Sequence, residues 1–401
     1  MPPALSRSAS RIQASVFADL APRIGARARA GGDLVELHIG DTHRSPPIDA
    51  RFARIEDATF DAALYRYGAV GGLEALREAF AARLVSQGVV HSAVDPARQV
   101  LVGGGATHAI FCGLRAVLDA GDEVLVVAPY WPLAVGIVRA AGGVPVEVPL
   151  TPRLYADPGL DPGPILEASI TPRTRALYLI TPNNPDGKVL SRPQLASIAR
   201  VAIARDLWVL SDEVYLDYVY EGDHVSPALL DGMAERTLGA YSLSKSHALA
   251  GARIGFLVAP ERVVAVARRV ATHTVFHPPV AAQRVACAAL RAPTTWIDDA
   301  RREYRAARDQ AVSSLSACGA RVLVPEGGSY VFADFAEILD GRPLKDLLER
   351  AIDRGVLVAP GSGFGEAFAS WARLCFTSVP TPRLAEGLAR LQDAIDGMRR
   401  G

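Results

Sequence analysis

The sequence predicts an α/β fold: a three-layer large domain built on a mostly parallel sheet, with a smaller α+β domain beside it. Three observations predict it. Between residues 100 and 258, short apolar runs alternate with helical stretches, the pattern of a sheet covered on both faces. Gly105, Trp131, Asn184, Asp212 and Lys245 each fall just past one of these runs, at the strand ends where such sheets collect ligands. Beyond about residue 290 a long charged amphipathic stretch gives way to separated strands and helices. The expected division is 46–290 for the large domain and 1–45 with 291–401 for the small one.

In chain order, residues 8–30 carry Ile12, Val16, Leu20 and Ile24 four apart, which predicts an amphipathic helix, as an arm on a neighbour or an ordinary core-facing element. A strand pattern over 34–39 ends at Gly40, and Asp41-Thr42-His43-Arg44-Ser45-Pro46-Pro47 continues as a turn-rich loop. His43 and Arg44 there are candidate substrate contacts, although solvated loop residues fit as well. Two tyrosines, Tyr65 and Tyr67, precede Gly71-Gly72 and a helix over 73–85 with Leu73, Leu76, Phe80 and Leu84 on one face.

Strand 100–102, the turn Gly103-Gly104-Gly105-Ala106-Thr107 and helix 108–118 make a unit whose free N–H groups can face an anion. By itself a tight turn without a ligand explains it equally, because neither a Gly-Lys-Ser/Thr ending nor G-x-G-x-x-G spacing is present. Strands follow at 123–127, 144–148, 176–180, 207–210, 237–241 and 254–258, with helices to Ala141 and over 195–205. The C-terminal third predicts a helix over 297–315, strands at 321–324, 328–333 and 373–376, and helices over 344–353 and 382–399.

With 401 residues, half of them hydrophobic and 21% charged, the chain is globular and long enough for two domains. Its 43 basic and 43 acidic residues cancel, which gives no electrostatic case for nucleic acid or an anionic membrane. No apolar run approaches the roughly 20 residues of a membrane span, and the polar N-terminus has no secretory pattern. Cys112, Cys287, Cys318 and Cys375 are scattered, as free thiols of a cytoplasmic protein would be. His273 and His277 have helical spacing but lack the Glu of H-E-x-x-H, so a structural or subunit-contact role is expected and no metal site. The glycines at 361–365 form a loop, not a dinucleotide fingerprint.

The strongest stretch is Tyr241-Ser242-Leu243-Ser244-Lys245-Ser246, with Arg253 eight residues beyond the lysine. An ammonium among small hydroxyl and apolar residues loses its proton more readily than a solvated one, and a neutral amine can form a Schiff base. Arg253 is too far for a helical i+4 pair and suits an anion held nearby. A serine-rich turn with a solvated lysine accounts for the stretch alone equally well.

Taken together in this order and spacing, these motifs resemble the fold-type-I pyridoxal-phosphate enzymes, and among them the class I/II aminotransferases, from about Gly40 to the C-terminus. The resemblance implies that Lys245 holds pyridoxal 5′-phosphate as a Schiff base and then shuttles the substrate Cα proton. It implies that Asp212 pairs with the pyridine nitrogen, that Tyr215 and Asn184 bond the ring's phenolate oxygen, and that Trp131 stacks on the ring. Gly105, Ala106, Thr107, Ser242, Ser244 and Arg253 would hold the phosphate. Tyr67, in a Tyr-x4-Gly-x3-Leu-Arg pattern, would reach the phosphate of a partner subunit, which implies a homodimer with shared sites. Arg373 would take the substrate α-carboxylate, with Gly40 and Asn184 beside the substrate.

The chain also departs from the family pattern. Thr181 and Asp186 replace the outer Asn and the Thr of Asn-Pro-Asn-Asn-Pro-Thr-Gly, which alters that loop without removing Asn184. Three residues after the stacking aromatic, where His or Tyr often supports the aspartate, stands Ala134, so support for Asp212 must come from elsewhere or from water. Arg44 stands where an aromatic is usual, which suggests a polar or anionic substrate side chain.

The function expected is amino transfer between an L-amino acid and a 2-oxo acid. A lyase, or a β/γ-replacement or cyclising enzyme, would share the same lysine and electron sink. A ligand-sensing regulator module on this fold would need a DNA-binding extension and a basic excess, and the sequence offers neither.

Overall fold

The computed structural model describes residues 3–6, 9–13, 16–56, 61–91 and 94–399. Its strands, in chain order, are β1 (Val35–Glu36), β2 (Val100–Gly103), β3 (Glu123–Ala128), β4 (Val144–Pro149), β5 (Thr174–Ile180), β6 (Trp208–Asp212), β7 (Thr237–Ser242) and β8 (Gly255–Val258). They continue with β9 (Arg321–Leu323), β10 (Tyr330–Asp334), β11 (Val356–Leu357), β12 (Ala359–Pro360) and β13 (Trp371–Cys375).

Seven strands form one sheet in the order β2-β8-β7-β6-β5-β3-β4. All its pairs are parallel except those of β8, which runs antiparallel to both β2 and β7. Period-two alternation sends the two faces into different cores. Val124, Val126, Tyr178 and Leu210 pack with helices Ala106–Val117, Pro132–Ala140 and Glu261–Thr272. Leu125, Val127, Leu177 and Val209 pack on the other side with helix Arg192–Ala204. Each such side chain contributes about 1.5–3 kcal/mol on leaving water. Helix Arg192–Ala204 starts where Ser191 and Gln194 form a capping box ahead of Leu195, Ile198 and Ala202, which face the sheet.

The second sheet, β12-β13-β10-β9, is antiparallel. Val331 and Ala333 of β10 face the core made with helices Thr295–Ala317, Leu344–Arg354 and Thr381–Arg399. Phe332 points the opposite way, into the core of the seven-stranded sheet, where it stacks on Trp371 at 4.9 Å. None of the described helices is long and apolar enough to cross a membrane.

Three local expectations need correction. Residues 8–30 are not one helix. A 3-10 turn covers Ala9–Arg11, a helix begins only at Ala21–Arg29 with Pro22 in its first turn, and Ser8, Ala14 and Ser15 lie outside the described residues. Of the four spaced apolar residues only Leu20 is fully buried, and Ile12 is 42% exposed. In the 34–39 stretch only β1 counts as paired strand, parallel to β11, although Leu37 still bonds Leu357 O and Cys375 N. The two histidines do not share a helix. The helix ends at Thr272, Phe276 has φ +67°, and the ring of His277 accepts the Gly68 N–H at 2.9 Å.

Candidate active site

A cavity of about 320 Å³ opens at the carboxyl edge of the large sheet. The topology explains its place, because β5, β6 and β7 run parallel and end side by side, delivering Asn184, Asp212 and Lys245 to one edge.

One end of the cavity is built for an anion. Helix Ala106–Val117 begins there, directly after Gly105 at φ +85°, and leaves its first N–H groups without intrahelical partners. Ala106, Thr107, Ser242, Ser244 and Arg253 line that end. Gly105 lies behind them. A Cβ at that position would collide with the Arg253 guanidinium, so only glycine lets the two approach. Arg253 adopts left-handed backbone at φ 54° and anchors one nitrogen on Ala250 O at 2.9 Å. Ser242 accepts the Ser244 N–H at 3.0 Å and starts the short helix Leu243–Ser246 that carries the lysine.

The Lys245 amine donates to Gly40 O, and Tyr218 OH fixes the backbone beneath it through Lys245 O (3.1 Å) and Ser246 O (3.2 Å). Burial lowers the lysine's pKa, and the arginines 373 and 253 add to the effect against the opposing Asp41. Asp212 ends β6 with its carboxylate buried. Burial pushes it up to about 7, while the Val214 N–H (3.3 Å), the Tyr178 hydroxyl (3.2 Å) and Lys245 pull the other way. The support that Ala134 cannot give therefore comes from Tyr178, on the neighbouring strand.

At the other end Arg373 donates to Asn184 Oδ1 (2.9 Å) and His38 O (2.7 Å), and its guanidinium lies 4.2 Å from the Tyr330 ring centroid. Its buried Nε has no acceptor among the described residues. Tyr215 OH meets Tyr330 OH at 2.8 Å, and burial holds Tyr330 up at about 12. Trp131 caps helix Pro132–Ala140 and lines the cavity, as does Gly40, where a Cβ would strike the Tyr330 hydroxyl.

The cavity thus gathers every site residue the resemblance implies except Gly105, which stands behind Arg253, and Tyr67, and it leaves out the loop candidates His43 and Arg44. Tyr67 lies elsewhere, 90% exposed beside Phe276 (5.4 Å) and His277 (6.0 Å). Tyr330 went unread in the sequence, along with the lining residues Leu133, Ile180, Val214 and Ala250. The Gly327-Gly328 pair ahead of its strand is the same glycine-before-chemistry signal seen at Gly105. The altered loop residues serve their own loop: Asp186 accepts from Asn183 (2.8 Å) and Lys188 N (3.1 Å), and Thr181 accepts from Leu190 N (3.1 Å).

Arg44 is not among the cavity-lining side chains. Glu303 takes it at 2.5 Å and also holds His43 at 2.8 Å, and Trp296 stacks under the guanidinium. The polar-substrate role suggested for Arg44 therefore gives way to a structural one. Arg44→Ala should leave the ranking of acidic over neutral amino donors unchanged and lower the thermal midpoint by a few degrees, checked by kcat/KM across donors and by calorimetry.

The family model "Aminotransferase class I and II" matches residues 33–391. The chain is 36% identical to an arginine–pyruvate transaminase of Pseudomonas aeruginosa, over 89% of this chain and 88% of that one. It is 34% identical to aromatic-amino-acid aminotransferase 2 of Thermococcus litoralis, over 92% and 91%. Among solved structures, Thermus thermophilus aspartate aminotransferase with maleate superposes with a TM-score of 0.88 at 32% identity, covering 98% of this chain and 100% of that one. With this fold and this edge-of-sheet cavity, the chain belongs to the class I and II aminotransferases, pyridoxal-phosphate-dependent enzymes that transfer amino groups.

Proposed function

We propose that Lys245, Asp212 and Tyr215 are the catalytic residues, and that Arg373 with Gly40 and Asn184 receives the substrate. The observation that carries this reading is a single cavity holding a half-buried amine, a buried carboxylate and a buried guanidinium whose Nε has no partner among the described residues. The residues fit pyridoxal phosphate: a helix N-terminus, two serines and Arg253 suit its phosphate, Asp212 its ring nitrogen, Trp131 its ring face, and Tyr215 and Asn184 its phenolic oxygen. When bound, the cofactor supplies a carbonyl carbon to carry the amino group and a ring that accepts electrons from the substrate Cα.

The chain's own residues supply the rest. Burial keeps the Lys245 amine poised to lose its proton, so it can take one from the substrate Cα. Asp212 holds a proton on the ring nitrogen by its negative charge. Arg373 offers Nε as half of a bidentate fork for the α-carboxylate, which fixes the Cα–H bond relative to the amine. Gly105→Ala, by forcing Arg253 away and straining a positive φ, should weaken cofactor binding about ten- to hundredfold, measured by titrating apoenzyme with pyridoxal phosphate.

The decisive experiment adds single L-amino acids to holoenzyme without acceptor, with arginine, aromatic residues and aspartate first because relatives are named for them. Transamination converts the cofactor absorbance to the pyridoxamine form and releases the matching 2-oxo acid, read by mass spectrometry. Release of ammonia or a leaving group with return of the starting absorbance would instead establish the lyase or replacement reading.

We further propose a cytoplasmic homodimer. Four buried free cysteines suit a reducing compartment. Tyr67 stands with Val275 (46% exposed) and Phe276 in an apolar surface that a second copy would cover, bringing Tyr67 toward the partner's phosphate site. The domain division 46–290 against 1–45 and 291–401 is supported by the large sheet's lying wholly within 100–258.

A further inference from the structure

Asp212 receives only one side-chain hydrogen bond among the described residues, and it comes from inside the sheet. Tyr178 stands opposite Leu210 in the parallel register of β5 and β6, and Ile180 stands opposite Asp212. Tyr178 and Asp212 are therefore diagonal neighbours on one face, a separation a tyrosine spans. The Tyr178 hydroxyl donates to Asp212 Oδ2 at 3.2 Å, and the Val214 N–H reaches the other oxygen at 3.3 Å. Tyr178 is 1% exposed, in the same apolar cluster as Ala134. A phenylalanine would fill that space without burying a hydroxyl, so packing alone does not call for tyrosine; the oxygen's partner does.

We propose that Tyr178 is a positioning residue for the cofactor, its hydroxyl fixing the Asp212 carboxylate against the ring nitrogen. The proposal rests on the assignment of Asp212 to that nitrogen. Ala134, on the helix after Trp131, faces the same core without a side-chain donor, and the hydroxyl comes from the floor of the sheet instead. A hydroxyl donor favours the ionised carboxylate, the form that brings an opposite charge to a protonated ring nitrogen. The charged groups facing Asp212 are Lys245, from the short helix after β7, which also favours ionisation, and Glu213 beside it, which opposes it. Neither changes in Tyr178→Phe.

The test is cofactor affinity against pH, by titrating apoenzyme of Tyr178→Phe and of Asp212→Asn with pyridoxal phosphate from pH 5 to 9. Without the hydroxyl, Asp212 needs a higher pH to ionise. The acid-side loss of affinity in Tyr178→Phe should move up by about one pH unit, about a tenfold weakening near neutrality that fades by pH 9. Below pH 7, where Asp212 is protonated in both proteins, the thermal midpoint of the apoenzyme should stay near that of the parent and should fall below it only as pH rises, whereas a merely structural loss would lower it at every pH. If the acid limb stays in place in Tyr178→Phe while Asp212→Asn binds weakly at every pH, Tyr178 has no such role. If Asp212→Asn binds the cofactor like the parent, the assignment of Asp212 itself fails and takes the proposal with it.

Discussion

Lys245→Ala should lose at least about 10⁴-fold in kcat for any amino donor, because one side chain is asked for both covalent attachment and proton transfer. Proton transfer by a positioned group is by itself worth about 10²–10⁴, and alanine offers neither function. The fold should survive. Lys245 sits in a four-residue helix capped by Ser242 and held by Tyr218 through backbone oxygens, none of which the substitution touches. Stability gives a second readout with a definite sign. Burial lowers the folded-state pKa of Lys245 below 10.5, so between the two values the unfolded chain binds more protons, and the parent apoenzyme gains stability from this group as pH rises. Lys245→Ala lacks that burden. Its apoenzyme should be at least as stable as the parent at neutral pH, with the difference shrinking as pH climbs toward 10.5. Intact mass after borohydride reduction is the direct check: the parent carries a covalent cofactor, and the variant should carry none. Covalent label on the variant would overturn the assignment of Lys245.

The lysine was legible because topology does most of the gathering. Parallel strands end at one edge, so Asn184, Asp212 and Lys245, each read as lying past an apolar run, had to meet. Tyr330 follows a different logic. It belongs to an antiparallel strand of the second sheet, and its place beside Arg373 depends on register: Phe332 opposes Arg373, so Tyr330 is its diagonal neighbour on one face. No local pattern encodes that pairing. Tyr178 was hidden in an apolar run, where a tyrosine reads as one more core residue. Helix Val280–Arg291 was hidden for a related reason: its buried face includes Ala282, Ala286 and Ala289 beside Val285, too little large apolar surface to show a period. The N-terminal pattern misled in the other direction, since its four-residue spacing is real but Pro22 starts a helix within it that takes in only Ile24 of the four.

Asp212→Asn carries the second large effect. Asparagine keeps the shape and its one oxygen can still accept from Val214, while its NH2 group can donate to the Tyr178 hydroxyl, so what is chiefly lost is the charge. A unit charge pair about 4 Å apart is worth about 4 kcal/mol at an effective dielectric near 20, or about 10³ in rate if felt in the transition state. We expect kcat to fall by about that factor with little change in KM for the amino acid, because Arg373 and Asn184 remain in place. The pH dependence separates this charge effect from damage to the fold. In the apoenzyme burial raises Asp212 to about 7 from its ordinary 3.8, so in that window the folded chain binds more protons than the unfolded one and this group's contribution to stability falls as pH rises. Asparagine has no such dependence. Apoenzyme of Asp212→Asn should therefore match the parent near pH 4 and exceed it in thermal midpoint above pH 7. With cofactor added the order should reverse above pH 7, since only the parent presents a carboxylate to a protonated ring nitrogen and draws the larger stabilisation from binding. Equal cofactor-induced shifts in the two proteins, with kcat within tenfold, would mean that the buried charge of Asp212 is structural and that the electron-accepting ring is held by other groups.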